Sequence, residues 1–246
     1  MKITSSAWSD DLKAFVRSWA SEAAWLGDAE MIHPERWAPD GHPHLGVLFG
    51  SRLDNLPDRL SRGDLLKLAQ APSADPLTTF LAVMAWGHSG NGTGSSRVDR
   101  IVADPSAAAS IAFILKEARA GRIREAFEAA HSSHRLLGLG TAFISKLLWA
   151  AGFGTASEFQ PLIFDKLVEV ALGEVIDPAS GWLLNWNSQT VDWTHYRDYC
   201  ELVRRMRDMY VPDARIDQVE HWLWITGGGG AWHHNAIRRN QRYPLP

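Results

Sequence analysis

The segment "GLGTAFISKLLWAAGF", residues 138–153, joins a glycine-rich turn to a helix that carries one lysine in an apolar setting. Its residues are apolar or small except for two hydroxyl residues and Lys146. The two glycines at its start predict a tight turn, and the following residues predict a buried helix that ends at Gly152. A buried ammonium group without a partner costs several kcal/mol, so Lys146 requires a physical explanation.

Two explanations for Lys146 stay open at this level. Its aliphatic stem can cross apolar surface while the amine reaches water, which is a purely structural arrangement. Alternatively, an amine that is removed from water loses its proton more readily and becomes a nucleophile. The second explanation makes Lys146 a candidate catalytic residue.

Length and composition describe an ordinary globular protein. The chain has 246 residues, 46% of them apolar, which is enough for one large domain or two small lobes around a cleft. Twelve tryptophans are a heavy load, suited to a core or to stacking pockets. The formal charge of −3 argues against a uniformly basic surface but allows a local basic patch that grips phosphates.

The sequence excludes several classes of site and location. A single cysteine, Cys200, excludes an internal disulfide and zinc or iron–sulfur sites held by cysteines of one chain. His33, His42 and His44 lie in a proline-rich stretch without metal-site spacing, so we predict neither metal nor cofactor. The first residues lack an apolar signal segment and no run of eighteen apolar residues occurs, which predicts a cytoplasmic protein without membrane contact.

Helical periodicity dominates the chain and predicts a mainly α fold. One helix is expected from Pro76 to Gly87 and another from Thr141 to Gly152. Further helices are expected to begin at Pro161 and at Pro212, because proline favours the first helical position. The segment "HLGVLFGSRL", residues 44–53, is expected to form a short strand.

Around the lysine helix, residues 121–170 hold a specific arrangement. A helix runs into the turn Gly138–Gly140, the lysine helix follows, and a proline-led segment then carries Asp165, nineteen residues after Lys146. Paired glycines at a helix N-terminus expose backbone N–H groups, which suit a DNA phosphate. The lysine and the aspartate are expected to face each other across the helix pair.

These residues resemble the helix-hairpin-helix DNA glycosylases, most closely the 8-oxoguanine DNA glycosylase-like branch. That superfamily has a Leu-Pro-Gly-x-Gly hairpin, a catalytic lysine and a proline-led segment with a catalytic aspartate, matched here by "LLGLGTAFISKLL" and "PLIFDKLV". Leu137 stands in place of the hairpin proline. The family commonly has its lysine at the position of Ala142, and Lys146 stands one helical turn beyond that position. The shifted lysine resembles divergent bacterial and archaeal members.

The resemblance implies a fold and a reaction. It implies one glycosylase-like unit over residues 1–246, with the hairpin and catalytic segment at 121–173, and two helical lobes around a cleft. Neutral Lys146 would attack the anomeric carbon of a flipped nucleotide, while Asp165 helps to deprotonate it and stabilises positive charge on the sugar. A Schiff base and strand cleavage can follow. If Lys146 were only an electrostatic aid, Asp165 would activate water instead.

Residues that contact DNA follow from the same interpretation. The predicted phosphate contacts are Gly138, Gly140, Thr141, Arg135, Arg238 and Arg239, the last two from the glycine- and arginine-rich tail. Trp86, before a glycine-rich loop, and Trp186, beyond the aspartate, are candidates for stacking on the flipped base, with a core position as the alternative.

The predicted function is excision of a modified base from double-stranded DNA by a monomeric DNA glycosylase. Divergent bacterial relatives that act against phages remove bulky glucosylated cytosines, so we put glucosylated hydroxymethylcytosine of phage DNA first and 8-oxoguanine in base-excision repair second. Two non-enzymatic alternatives remain: a helical DNA-binding module that retains the hairpin, and a helical protein-interaction domain in which Lys146 lies at the surface.

Overall fold

The structure, a computed structural model, describes residues 6–18, 29–37, 41–88, 93–155, 159–176 and 191–228. Eleven α-helices lie within these residues: α1 (Ser6–Ser18), α2 (Pro43–Phe49), α3 (Arg62–Gln70), α4 (Pro76–Gly87), α5 (Gly94–Val102), α6 (Ala107–Arg119), α7 (Ile123–His131), α8 (Thr141–Gly152), α9 (Lys166–Val175), α10 (Trp193–Tyr210) and α11 (Ile216–Thr226). The mainly α fold is confirmed. No helix in this part of the chain is long and apolar enough to cross a membrane.

Two short strands accompany the helices. Strand β1 (Ala29–Met31) pairs antiparallel with β2 (Arg59–Ser61), and Glu30 lies opposite Leu60. Each strand has only three residues, too few for the alternation of apolar and polar residues that identifies a strand in a sequence. This ribbon was therefore not predicted.

Local capping explains where two of the helices begin, the predicted α4 and the unpredicted α3. Helix α4 starts at Pro76 because the Asp75 carboxylate accepts a 2.8 Å hydrogen bond from the Thr78 N–H and proline supplies the first helical dihedral. Helix α3 has a reciprocal cap, in which Ser61 and Asp64 each accept from the other's backbone N–H. These signals lie within four residues, and both bounds of α4 agree with the prediction.

The strand predicted at residues 44–53 is wrong. Residues 43–49 form α2, and a 3₁₀ turn, Gly50–Arg52, continues it. Leu45 and Phe49 are both fully buried, and a separation of four residues places them on one face of a helix. The apolar run was too short to distinguish a helix from a strand by periodicity.

Two predicted helix starts are also wrong, because the helices begin later than their prolines. Residues 161–165 are not helical, and α9 begins at Lys166, with Asp165 as its N-cap. Helix α11 begins at Ile216, after a turn at Pro212. A proline limits where a helix can start but does not itself start one, and in α9 the start is set by the Asp165 side chain that caps it.

The chain divides into two compact units. The first unit comprises Met1–Trp25 and Ile163–Pro246, and the second comprises Leu26–Leu162. In the second unit, α8 is central and packs against α3, α4, α6 and α7. Every residue of α8 from Ile144 to Gly152 is buried, as expected of a helix that is apolar on all sides.

In the first unit, α11 is the central helix. It packs against α9, α10 and α1, with Trp222 almost completely buried. Gly227, at the C-terminal end of α11, lies directly against the backbone carbonyl of Leu167, where a β-carbon would collide. This close approach fixes the first turn of α9, the helix that Asp165 caps.

Candidate active site

Lys146, on α8, lies in the interior of the second unit, where its side chain approaches the C-terminal end of α4. The residue is only 8% exposed, and its Nζ is 5.5 Å from the centroid of the Phe143 ring, one helical turn earlier. Gly87 makes room for both side chains, because a β-carbon there would lie 2.7 Å from Phe143 Cε1 and 3.2 Å from Lys146 Cδ. The predicted burial of Lys146 in α8 is therefore observed, with an aromatic face beside its amine.

The turn before α8 leaves backbone N–H groups available. Gly138 is exposed with φ +90°, a conformation that favours glycine, and Leu139 N–H donates to Leu136 O at 3.0 Å. Gly140 is the N-cap of α8 and provides no side-chain cap. The first N–H groups of a helix have no partner within that helix, so this turn has the geometry of an anion site.

Arg97 of α5 holds this turn. Its Nε and Nη2 donate to the Gly138 carbonyl oxygen at 3.3 and 3.0 Å, and its guanidinium lies 5.9 Å from the Phe143 ring centroid. The side chain is exposed, so its positive charge also lies at the surface near the turn. The sequence analysis assigned Arg97 no role, because its contact with Gly138 depends on residues forty-one positions apart in the chain.

The predicted DNA contacts near the turn differ in their surroundings. Arg135 is exposed, and within the described residues its side chain pairs with no carboxylate, whereas Arg124 of α7 pairs with Glu128 at 2.9 Å. The Thr141 side chain is buried, and its hydroxyl lies 3.3 Å from His131 Nε2. A phosphate contact at Thr141 would therefore come from its backbone N–H.

Asp165 lies in the first unit, and its local geometry is well defined. Its carboxylate accepts hydrogen bonds from the N–H groups of Leu167 and Val168 at 3.1 and 3.2 Å, which caps α9. The preceding segment is fixed by Tyr199 of α10, whose hydroxyl donates to the Ile163 carbonyl oxygen at 2.6 Å. Lys146 and Asp165 belong to different compact units, so their convergence in one cleft stays a prediction.

Trp86 is half-buried at the end of α4. Its ring stacks on Trp149 of α8 with centroids 6.2 Å apart, and the buried Arg62 guanidinium lies 5.5 Å from the first ring and 5.0 Å from the second. Stacking of Trp86 on a flipped base stays a prediction. Trp186, Arg238 and Arg239 lie outside the described residues.

His88 is a second residue that the sequence interpretation missed. Its ring stacks on Phe143 with centroids 4.3 Å apart, so it lies in the same cluster as Lys146. Burial, together with the nearby charges of Arg97 and Lys146, lowers the pKa of His88 to about 4. Helical spacing from Lys146 points to Phe143, but no sequence pattern points to His88, which reaches the cluster by tertiary packing.

Most of the chain matches one known protein family. Residues 15–224 match the model of a family described as "Putative 8-oxoguanine DNA glycosylase OGG-like protein". The chain belongs to this OGG-like family. The matched range includes both Lys146 and Asp165, and it confirms the resemblance inferred from the hairpin and the lysine–aspartate spacing. No curated protein and no solved structure matches the chain.

Proposed function

We propose that this OGG-like protein is a DNA glycosylase that excises a modified base with Lys146 as its nucleophile and Asp165 as the assisting carboxylate. The observation that carries the proposal is the setting of Lys146, 8% exposed in the helix that directly follows the hairpin turn. Membership in the OGG-like family supports DNA as the substrate. The enzyme would act as a cytoplasmic monomer on double-stranded DNA.

In the proposed reaction, the target nucleotide leaves the base stack before bond cleavage. The Lys146 ammonium first gives up a proton, and the resulting amine donates its electron pair to the anomeric carbon, while the base departs with the electrons of the glycosidic bond and takes up a proton from water. Asp165 accepts a proton from the amine and stabilises the developing positive charge on the sugar. Ring opening gives a Schiff base, and β-elimination from it can cleave the strand.

The hairpin turn would hold the DNA backbone near this chemistry. The open N–H groups at the start of α8, with Arg135 and the exposed Arg97 nearby, suit one or two phosphates. Such contacts position the duplex but do not read its sequence. Base selection would therefore come from the pocket that receives the flipped base.

Two modified bases are proposed as substrates. The likeness of the shifted lysine and altered hairpin to divergent bacterial members favours glucosylated hydroxymethylcytosine, and excision of this base would serve defence against phages with modified DNA. The family description favours 8-oxoguanine and base-excision repair. The two bases differ greatly in bulk and in hydrogen-bonding edges, so one pocket is not expected to accept both.

The deciding experiment incubates the protein with unmodified duplex, duplex containing 8-oxoguanine, and glucosylated phage DNA. Released bases are identified by mass spectrometry, and borohydride is added to trap a Schiff base. Lys146→Gln should abolish the trapped adduct and slow base release by about 10²-fold or more. The matched control is Lys116→Gln, which removes an exposed lysine of α6 in the same unit and should act like the wild type.

Each other outcome assigns a different role. Base release without a trapped adduct would shift the mechanism to water activated by Asp165. Salt-dependent DNA binding without base release from any substrate would indicate a non-catalytic DNA-binding module. Absence of salt-dependent DNA binding would leave the protein-interaction domain as the remaining interpretation.

A further inference from the structure

The side chain of His88 is held tightly beside Lys146. His88 follows Gly87 as the C-cap of α4, and its N–H donates to Met84 O at 3.0 Å. The residue is only 9% exposed. Gly94, at the start of α5, allows this packing, because a β-carbon there would lie 2.6 Å from the His88 Cβ. With Phe143 stacked on its ring, the imidazole has little freedom to move.

The ring nitrogens of His88 are available to a ligand. Within the described residues, neither nitrogen makes a hydrogen bond. His131, which contacts Thr141 of α8, differs from His88 because both of its ring nitrogens have partners. His131 Nδ1 lies 2.8 Å from Phe127 O, and its Nε2 lies 3.3 Å from Thr141 Oγ1. Most buried polar groups have a hydrogen-bond partner, so a largely buried imidazole with none is a candidate for binding a ligand.

The charge state of His88 suits a neutral ligand. Arg97 and Lys146 are the charges that face the ring, from α5 and α8, and both oppose its protonation. With a pKa of about 4, the imidazole is neutral at physiological pH. A neutral imidazole has one N–H donor and one nitrogen acceptor, the combination that the hydrogen-bonding edge of a nucleobase requires.

We propose that His88 is a base-recognition residue, whose imidazole hydrogen-bonds the edge of the modified base that Lys146 releases. The proposal rests on the proposed glycosylase function and adds a residue that specifies the base. Phe143 orients the imidazole by stacking, and Gly87 and Gly94 leave space for the two rings. His88 does not take part in bond cleavage, so its loss should affect recognition of the base and not attack on the sugar.

The test separates these two steps with two DNA probes. The first is the duplex whose base the wild type releases, containing 8-oxoguanine or glucosylated hydroxymethylcytosine. The second is the same duplex with a tetrahydrofuran abasic analogue, which has no base to recognise. His88→Phe keeps a ring for stacking but removes both hydrogen-bonding nitrogens, whereas His88→Gln retains a donor and an acceptor. His134→Phe is the matched control, because His134 stacks on Phe113 at 4.1 Å.

We expect His88→Phe to lower the rate of base release at least about tenfold. The variant leaves the polar edge of the bound base without its hydrogen-bond partners, which weakens its recognition. Its affinity for the tetrahydrofuran duplex should stay within about twofold of the wild type. His88→Gln should recover part of the lost rate, and His134→Phe should match the wild type on both probes. A thermal unfolding curve of each variant verifies that it is folded.

Contrary results have distinct meanings. Base release by His88→Phe at the wild-type rate would overturn the proposal, and equal losses on both probes would show that His88 only supports the fold around Lys146. No base release by the wild type from any of the modified duplexes would instead overturn the proposed glycosylase function, and this proposal with it.

Discussion

The hydroxyl of Tyr199 lies 2.6 Å from the carbonyl oxygen of Ile163, two residues before Asp165. Tyr199 is completely buried in α10, and its ring also contacts Phe164 with centroids 4.6 Å apart. Burial raises the pKa of Tyr199 well above its usual value, so the hydroxyl keeps its proton and remains a donor at neutral pH. One tyrosine therefore fixes the segment that delivers Asp165 to the N-terminus of α9.

Tyr199→Phe should destabilise the protein, because it leaves a buried carbonyl oxygen without its donor. We expect a loss of about 1–3 kcal/mol in the free energy of unfolding, measured by urea denaturation. Base release should also slow, since Asp165 loses its anchor. Tyr210→Phe, at the half-buried C-terminal end of the same helix, is the control and should change stability by less than about 0.5 kcal/mol. Equal stabilities of the two variants would contradict this role for Tyr199.

The two glycines of the turn should respond differently to substitution. Gly140 has φ −86° and open space where a β-carbon would lie, so Gly140→Leu should fold and lose at most about 1 kcal/mol, the cost of leucine in place of glycine at an N-cap. Its side chain should nevertheless obstruct a phosphate and weaken binding to all DNA sequences alike. Gly138→Ala should itself cost about 1–2 kcal/mol, because φ is +90° there.

Duplex binding in fluorescence anisotropy, combined with thermal unfolding, checks this pair. Unchanged DNA affinity of a stable Gly140→Leu variant would show that the turn only connects two helices. A loss of stability well above about 1 kcal/mol in that variant would contradict the open space observed beside Gly140.

Arg97 should contribute to DNA binding by holding the turn. Arg97→Ala removes both donors to the Gly138 carbonyl oxygen and one positive charge, and should weaken duplex binding. Arg97→Gln can still donate one hydrogen bond, so it isolates the effect of the charge. If the guanidinium also contacts a phosphate, the slope of log affinity against log salt should decrease by about 1 in both variants.

Arg100→Ala is the control for Arg97, because it removes an exposed arginine from the same helix. Among the residues that the structure describes, the Arg100 side chain is bonded only to Ser96 O. Full affinity of Arg97→Gln with an unchanged salt slope would limit Arg97 to holding the turn. Equal losses of duplex affinity in the Arg97 and Arg100 variants would indicate that only the total positive charge of the surface matters.

Mild acid should destabilise the folded protein partly through His88. Its pKa is about 4 in the folded protein and near 6.5 when unfolded, so between these pH values the unfolded state binds the extra proton. The contribution of His88 to the free energy of unfolding is therefore fully present above pH 6.5 and decreases as the pH falls towards 4. The decrease from this group should be about 1–3 kcal/mol. Chemical denaturation from pH 7 to pH 4 measures the loss.

His88→Phe should remove that part of the pH dependence. Burial also lowers the pKa of His131, which contributes with the same sign and should persist in the variant. Identical pH profiles of the wild type and His88→Phe would contradict a buried neutral imidazole at this position.

Asp165→Asn should distinguish a catalytic carboxylate from a helix cap. Asparagine caps helices about as well as aspartate, so stability should change by less than about 1 kcal/mol. If Asp165 assists the lysine, base release should decrease by about 10²-fold or more. Asp192→Asn is the matched control, since Asp192 caps α10 by accepting from the His195 N–H at 2.9 Å.

Single-turnover base release on the substrate duplex provides the measurement for this pair. Normal rates for both variants would limit Asp165 to capping α9. A strong decrease in both would indicate that amide substitution at an N-cap perturbs the first unit as a whole.

Features that depend on near neighbours could be predicted from the amino-acid sequence alone. The bounds of α4 and α8 follow from caps, prolines and glycines within a few residues. The burial of Lys146 follows from the apolar residues on all sides of its helix. The hairpin and the lysine–aspartate spacing were sufficient to identify the family, because both are linear patterns.

Tertiary structure decided what depends on residues far apart in the chain. The Tyr199 hydroxyl holds Ile163 from thirty-six positions away, and α9 starts at its aspartate cap and not at Pro161. His88 and Arg97 reach Phe143 and Gly138 only because α4, α5 and α8 pack together. Periodicity reports the environment of a helix face but not which side chain of another helix meets it, since that depends on the shapes of both surfaces.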